Sequence, residues 1–396
     1  MSRLWMIVLV RRARNCGPVC RTLWARWLVA AVVTVLLAAG CVSCASAGAG
    51  PQNRAYYIAA DEVAWNYAPS GTNMITGQQF DATANKFVES GPDRIGSTYT
   101  KCIYHGYTDA SFTHQIQRSA DDQYLGLLGP VIRAQVGDTI KVTFRNNCSF
   151  PASIHPHGVF YDKKDEGTPY DDGRSSADKA GDAVAPQQQY VYSWQVPERA
   201  GPGPMDGSSV MWMYHSHTDE VLDAYSGLMG SIEVAARGKA RPDGRPNDVD
   251  REIFAVFWVM NENTTHYLEA QRTKLANAPA ADNADFLESN KMHSINGYVY
   301  GNGPPMIMRQ GERVRWYLMG MGNEVDLHTP HWHGNTVTAG GMRTDTVSLL
   351  PASMVVADMV PDDPGIWMFH CHVSDHITAG MLARYQVLAP GQPAAK

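Results

Sequence analysis

The sequence predicts an all-β protein made of two similar β-sandwich domains. Short segments rich in β-branched and aromatic residues, such as TIKVTFRNN and RVRWYLMGM, alternate with Gly-Pro and Asp-Gly turns. The order of motifs in the first half also returns in the second half, which indicates an internal repeat. We predict domain 1 at 55–235 and domain 2 at 252–391, joined by a polar, proline-containing linker at 236–251.

The repeat includes both strands and histidines. IRAQVGDTIKVTFRNN leads to IHPHG in the first half, and IMRQGERVRWYLMGMGN leads to HTPHWHG in the second. MYHSH and MFHCH then take matching places near the end of each half. Each half therefore carries two His-x-His pairs in the same order.

The spacing of these histidines indicates metal binding. On a strand, residues i and i+2 face the same side, so each His-x-His presents two imidazoles together. Clustered histidines without a metal would leave many buried polar groups unsatisfied. We predict one metal cluster that takes four histidines from each half: His155, His157, His215, His217, His331, His333, His370 and His372.

The same alternation gives Cys371 a different role from its neighbours. It faces the side opposite to theirs, where it can meet His328 from the preceding motif and His376 and Met381 from the following loop. Two imidazoles, a thiolate and a weak thioether are the ligands of a mononuclear blue copper site. Electrons would then have a short covalent route from Cys371 to the shared cluster.

The first half lacks the ligands for such a site. Ser216 replaces the cysteine, Ala152 stands where His328 would fall, and Val221 stands where His376 would fall. We therefore predict one blue copper for each chain.

The motifs HPHG, HSH, HTPHWH and HCHVSDHITAGM resemble the four copper motifs of multicopper oxidases, in the same order. Longer stretches, including QYLGLLGPVIRAQVGD and RWYLMGMGNEVDLHT, resemble the first and last domains of ceruloplasmin and hephaestin. The resemblance implies cupredoxin-like Greek-key domains and four coppers in each functional unit. It assigns type 1 copper to His328, Cys371, His376 and Met381, type 2 copper to His155 and His331, and the type 3 pair to His157, His215, His217, His333, His370 and His372.

The number of domains in the chain limits how the shared cluster can be assembled. It holds two such domains, where ceruloplasmin and hephaestin hold six. The shared cluster must lie between two domains, either within one chain or between domain 1 of one subunit and domain 2 of the next. Two-domain members of the family resemble the six-domain ring built from three chains, which implies the second arrangement, closed into a homotrimer.

The resemblance implies a reaction in which a one-electron donor is oxidised and dioxygen is reduced to water. The segment FLESNKMHSING resembles the iron-binding segment of ceruloplasmin-like ferroxidases, which implies an Fe(II) site at Glu288, His293 and Asp375. Carboxylate ligands favour ferric over ferrous iron, which suits that chemistry. The alternative is that the two carboxylates lie on a solvated rim and that His293 caps a turn.

Other functions stay open on the sequence alone. They are a laccase-like oxidase of phenols or aromatic amines, a two-domain copper nitrite reductase, and an exported protein that binds copper without catalysis. Four His-x-His pairs argue against the nitrite reductase, which uses a single type 2 copper. A net charge of -6 with no basic stripe argues against nucleic-acid binding.

The N-terminal 47 residues have the composition of an export signal. Arginines precede the apolar run WLVAAVVTVLLAAG, which ends at residue 40 in a lipobox-like segment followed by Cys41. An A-x-A cleavage site at 45–47 is the alternative. We expect a periplasmic, extracellular or cell-envelope protein, with a lipid anchor at Cys41 if the lipobox is used.

Three cysteines remain in the body of the chain. Outside the cytosol we predict a disulfide between Cys102 and Cys148, which leaves Cys371 free for copper; two buried thiols are the alternative. Three histidines, His105, His114 and His266, lack metal-ligand spacing, and we expect them at the surface or in local hydrogen bonds.

Overall fold

Strands account for most of the regular structure between residues 50 and 393, the part of the chain that the computed structural model describes. The predicted signal segment at 1–47, with Cys41, lies outside the described residues. Within the described part, no helix combines the length and the apolar character needed to cross a membrane.

The first half contains nine strands and two short helices. The strands are β1 (Asn53–Asn66), β2 (Thr98–Tyr107), β3 (Ile132–Gln135), β4 (Thr139–Asn146), β5 (His155–Pro156), β6 (Phe160–Tyr161), β7 (Gln189–Gln195), β8 (Ser209–His215) and β9 (Met229–Ala235), and the helices are α1 (Ala82–Val88) and α2 (Glu220–Ser226). Alternation is clear in β4, where Ile140, Val142 and Phe144 are buried.

The second half contains ten strands and three short helices. The strands are β10 (Arg251–Asn261), β11 (Lys291–Ile295), β12 (Met306–Arg309), β13 (Val314–Gly320), β14 (Pro330–Trp332), β15 (Val337–Ala339), β16 (Met342–Thr344), β17 (Met354–Met359), β18 (Gly365–Cys371) and β19 (Leu382–Leu388), and the helices are α3 (Leu268–Arg272), α4 (Ala284–Ser289) and α5 (Ser374–Thr378). Turns at 236–250 connect β9 to β10.

The two halves share one topology. The first half forms sheets of order β2-β1-β4-β7-β6 and β3-β9-β8-β5, and the second forms β11-β10-β13-β17-β15-β16 and β12-β19-β18-β14. In both, the first long strand pairs in parallel with a later one, as β1 with β4 and β10 with β13. The predicted all-β fold is confirmed, whereas the exact domain boundaries stay a prediction.

A buried boundary joins the two halves. Tyr67 and Tyr99 of the first half belong to the same hydrophobic cluster as Phe254 and Trp258 of β10. Strand β10 is buried from Glu252 to Met260 and β13 along its whole length, because both faces of these strands are covered. The second half thus depends on the first to cover its outer sheet.

A buried ion pair crosses this boundary. Lys101 on β2 places Nζ 2.6 Å from Oε1 of Glu262 and donates to the carbonyl of Tyr225. Burial lowers the pKa of Lys101 and raises the pKa of Glu262, while the attraction between the two opposes both shifts. The Tyr67 hydroxyl also donates to Glu262.

A disulfide joins Cys102 on β2 to Cys148 just after β4, with the Cα atoms 6.2 Å apart. Among the described residues Cys371 is the free cysteine, and it is buried.

We expect Lys101→Met to lower the free energy of unfolding by about 3–5 kcal/mol, because it leaves the Glu262 carboxylate buried without its cation. Urea denaturation of the copper-free protein measures the loss. The double variant Lys101→Met with Glu262→Leu is the control and should recover most of it. A single-variant loss below about 1 kcal/mol, the worth of an exposed pair, would contradict a buried ion pair.

Candidate metal centres

Three buried side chains at one end of the second half point their donor atoms at a common place. His328 lies just before β14, Cys371 ends β18 and His376 lies in α5. The Nδ1 atoms of the two histidines are 3.2 Å apart, and Cys371 Sγ is 3.5 Å from Nδ1 of His376. Met381 is buried in the same cluster, and its carbonyl accepts the Cys371 amide. The four predicted type 1 residues are therefore brought together.

The electrostatics of this site favour a thiolate. Burial raises the pKa of Cys371, but hydrogen bonds from His328, His376 and the Thr329 amide outweigh it and lower the pKa to about 6. For His328 burial lowers the pKa, and Asp326 and Cys371 reverse this to a net increase.

Sequence reasoning missed Asp326. Its carboxylate is fully buried, lies 3.3 Å from Nε2 of His328, and accepts the amides of Val259 and Asn323. Its negative charge lies behind the His328 ring, on the side away from Cys371, where carboxylates commonly lie behind metal-binding histidines.

Four histidines of the second half lie together on the other side of β18. Strands β14 and β18 pair with His331 opposite His370. Nε2 of His370 is 3.1 Å from Nδ1 of His331 and 3.0 Å from Nε2 of His333. The ring of His372 lies 5.4 Å from that of His331. The alternation that places Cys371 on one face has therefore placed its neighbours on the other.

The first half repeats this arrangement. Strands β5 and β8 pair with His155 opposite His215. Nε2 of His157 lies 3.1 Å from Nε2 of His215, and the His217 ring lies 5.2 Å from that of His155. Burial, followed by the neighbouring imidazoles, lowers the pKa of His157 to about 4 and that of His215 to about 3. Both rings are thus neutral at pH 7, as metal ligands must be.

Backbone carbonyls hold several of these rings in one orientation. Nδ1 of His155 lies 2.7 Å from the carbonyl of Glu166, that of His215 lies 3.0 Å from the carbonyl of Ser216, and that of His370 lies 2.7 Å from the carbonyl of Cys371. Because a carbonyl can only accept, each Nδ1 carries the proton and each Nε2 is left free to bind a metal. No motif or spacing in the chain signals these partners.

The two histidine quartets do not meet within one chain. Among the residues described, no hydrogen bond or ring contact joins a first-half member to a second-half member. Each set is open on one side: His372 is exposed, and His155, His157, His331 and His333 are partly exposed. Each quartet therefore holds four of the eight histidines that the sequence analysis predicts to form one cluster.

The first half has a matching place for the type 1 site, without its ligands. Ala152 pairs with Val184 as His328 pairs with Leu349. The amide of Ser216 donates to the carbonyl of Leu228, as that of Cys371 does to Met381. Leu228 thus stands in the place of Met381, and Val221, predicted at the place of His376, is exposed.

Known proteins resemble this chain in sequence and in fold. Two family models, both described as multicopper oxidase, match residues 113–239 and 270–390. The chain belongs to the multicopper oxidase family.

Relatives of this multicopper oxidase include three large proteins. It is 45% identical over 344 residues to the ferroxidase HEPHL1 of Homo sapiens, covering 85% of this chain and 29% of that protein. It is 42% identical to hephaestin of Homo sapiens and 43% identical to ceruloplasmin of Mus musculus; each match covers 84% of this chain, with 29% of hephaestin and 32% of ceruloplasmin. The chain thus spans about a third of these relatives.

Solved structures support the fold. A multicopper oxidase crystal structure matches with a TM-score of 0.53 at 20% identity, covering 85% of this chain and 89% of that one. The multicopper oxidase mgLAC matches with a TM-score of 0.52 at 18% identity, covering 87% and 88%.

The donor atoms of this multicopper oxidase fit copper, the cofactor of its family. His328, Cys371 and His376 offer two imidazoles and a thiol within 4.8 Å of one another, and His331, His333 and His370 offer three imidazoles within the same distance. Soft thiolate and imidazole donors in a buried trio suit a type 1 copper. The histidine quartets suit the type 2 and type 3 coppers assigned above to their members.

The predicted iron-site residues lie at the edge of the type 1 site. The ring of His293 is buried and lies 5.4 Å from that of His376. Glu288 is partly exposed and hydrogen-bonds Lys291 at 2.9 Å, and Asp375 is exposed. The structure thus brings His293 to the type 1 ligands, and it leaves the carboxylates of Glu288 and Asp375 accessible to solvent.

We expect Ser216→Cys to add a thiol without adding a second type 1 copper, because Ala152 and Leu228 supply no donor around it. The blue absorption band of the copper-loaded protein, measured per chain, should stay at the wild-type value. Cys371→Ser is the matched variant in the second half and should abolish the band. A doubled band in Ser216→Cys would contradict the ligand assignment.

Proposed function

We propose that this chain is the subunit of a multicopper oxidase that oxidises Fe(II) and reduces dioxygen to water. The observation that carries the proposal is the position of His293, buried against the type 1 ligand His376 with ring centroids 5.4 Å apart. A metal ion held by His293 would therefore lie next to the type 1 site. The ferroxidase HEPHL1 among the relatives supports the same substrate.

The surroundings of His293 suit a cation. Burial and the neighbouring His376 lower the pKa of His293 to about 4, so its ring is neutral and able to bind metal at pH 7. The negative charge of Glu288 raises the pKa of this ring, but by less than burial and His376 lower it. The Glu288–Lys291 ion pair is exposed, with side-chain exposures of 37% and 40%, and such pairs are worth little. Glu288 is thus free to exchange Lys291 for a metal ion.

Two further groups define the edge of this site. The ring of Phe87 in α1 lies edge-on to His293, with centroids 5.7 Å apart, and keeps it buried. Asp375 is exposed and precedes His376 in the chain. Its carboxylate and that of Glu288 supply oxygen donors, which favour ferric over ferrous iron. Copper bound at the assigned residues would supply the one-electron transfer and the reduction of dioxygen.

The assembly we propose is a homotrimer in which domain 1 of one subunit faces domain 2 of the next. Each chain presents two open quartets that have no contact with each other among the described residues. A second copy can complete each quartet with its own complementary half, and a closed ring satisfies all of them. Each eight-histidine cluster would hold the type 2 copper and the type 3 pair, and we call it the trinuclear site. These trinuclear sites would then lie between subunits.

The predicted N-terminal signal and the Cys102–Cys148 disulfide support export of the protein. We further propose that the mature chain acts in the cell envelope or outside the cell, anchored by lipid if Cys41 is the processed cysteine.

We expect Glu288→Ala combined with Asp375→Ala to lower kcat/KM for Fe(II) about tenfold or more, equivalent to about 1.4 kcal/mol or more of transition-state stabilisation. Oxygen consumption with Fe(II) and with a phenol measures both activities, and phenol oxidation should persist. Asp285→Ala, in the same helix as Glu288, is the control and should leave both unchanged. Equal loss of both activities in the double variant would contradict the iron site and favour a laccase-like oxidase.

Mixed subunits test the assembly. One variant loses the first-half quartet through His155→Ala and His157→Ala, and the other loses the second-half quartet through His331→Ala and His333→Ala. Each alone should be inactive. If the cluster lies between subunits, refolding the two together restores one complete site in each mixed ring, and oxygen consumption returns in part. A mixture as inactive as its components, or an active monomer by mass measurement, would contradict the shared site.

A further inference from the structure

A buried carboxylate occupies the first-half place that corresponds to the type 1 site. Asp223 in α2 is fully buried. It accepts a hydrogen bond of 2.6 Å from the hydroxyl of Ser216, the residue at the cysteine position, and one of 3.0 Å from the amide of Asp219. A carboxylate thus ties the end of β8 to α2.

The second half supplies the remaining donor. Nε2 of His266 lies 2.8 Å from the other oxygen of Asp223, and its ring stacks on Phe150 with centroids 3.6 Å apart. His266 lies between β10 and α3, in the other β-sandwich. With three donors the buried charge of Asp223 is satisfied, and removal of one leaves an acceptor without its partner.

Hydrogen bonds lead from this carboxylate to the metal-binding histidines. Ser216 Oγ accepts the amide of Ser153 at 3.0 Å, and Ser153 Oγ accepts the amide of His217 at 3.0 Å. The carbonyl of Ser216 accepts Nδ1 of His215 at 3.0 Å. A shift of Ser216 would therefore move the backbone that carries both histidines.

The second half has the same backbone arrangement, but different side chains contact the residue at the cysteine position. The amide of Thr329 donates to Cys371 Sγ at 3.3 Å, as the amide of Ser153 does to Ser216 Oγ. There the side chains that converge on Cys371 are His328 and His376, the assigned metal ligands. In the first half Asp223 and His266 converge on Ser216 instead.

We propose that Asp223 and His266 are positioning residues for the first-half histidine quartet, and that they fix it by hydrogen bonding where the second half uses metal ligands. The inference rests on the proposed shared cluster. Because His266 belongs to the second half, the orientation of His215 and His217 depends on how the two β-sandwiches of one chain dock. Partners behind metal ligands typically change metal affinity about 10- to 100-fold when they are removed.

The test compares two variants of His266. His266→Phe keeps an aromatic ring against Phe150 and loses the donor, whereas His266→Gln keeps a donor at the position of Nε2. His105 is the matched control, since its Nδ1 lies 2.9 Å from Asp61 with side-chain exposures of 20% and 17%. The other side chains that bond Asp61 are Tyr107 and Asn147, and neither belongs to a quartet. His105→Phe and His105→Gln should both behave as wild type.

Two measurements decide the outcome. In the copper-free protein, the amides of Ser153 and His217 should exchange with deuterium faster in His266→Phe than in wild type, and His266→Gln should restore protection. In the copper-loaded protein, competition with a chelator should show the trinuclear coppers bound about 10- to 100-fold more weakly in His266→Phe, with the blue type 1 band unchanged. If His266→Phe does not fold, Asp223→Asn makes the same test.

Unchanged amide protection and unchanged trinuclear affinity in His266→Phe would overturn the inference, as would equal effects in the His105 variants. Wild-type protein that binds no type 3 copper would instead overturn the proposed shared cluster. In that event the amide exchange of the copper-free variants still decides whether His266 positions the quartet.

Discussion

The two-residue period of one strand, β18, is the constraint on which the metal chemistry depends. His370 and Cys371 are consecutive, so their side chains leave the strand on opposite faces. The thiol meets His328 and His376 on one side, while the imidazole meets His331 and His333 on the other. One strand end thus contributes to the predicted type 1 site on one face and to the second-half histidine quartet on the other. Moving either residue by one position would send it to the wrong site.

That arrangement needs the paired strand as much as the strand itself. β14 lies antiparallel to β18 and places His331 opposite His370, and His328 precedes it on the face of Cys371. The repeat in the first half, β5 beside β8, has the same register and gives the other quartet. Each pair of strands brings together four imidazoles, and no hydrogen bond or ring contact among the described residues joins the two sets. In the proposed assembly, a second copy of the chain completes each set.

The sequence predicts metal-ligand residues best where they lie a few positions apart in the chain. His-x-His spacing, the cysteine between two histidines, and the replacements Ser216 and Ala152 all depend on residues near one another in the chain, so the sequence alone is enough to recognise them. The structure confirms the two-sandwich, all-β fold and shows the predicted type 1 residues together. Asp326, the Glu166 carbonyl and the Asp223–His266 pair could not be foreseen, because each joins segments whose proximity only the folded chain determines. His266 was expected at the surface or in local hydrogen bonds, but it is partly buried and its partner lies 43 residues away.

The first half repeats the backbone of the predicted type 1 site without its ligands, so other side chains occupy that place. Without a cysteine and histidines at this place, the buried polar groups of the first half need other hydrogen-bond partners. Asp223 removes that difficulty, since a carboxylate can accept from Ser216, Asp219 and His266 together. The donor from the opposite half then makes docking of the two β-sandwiches a condition for order at the histidines. The Lys101–Glu262 pair crosses the same boundary and strengthens that condition, because neither charge is stable there without the other. The first half, which has no type 1 ligands, is thus held at the same place by the hydrogen bonds of Asp223 with Ser216 and His266.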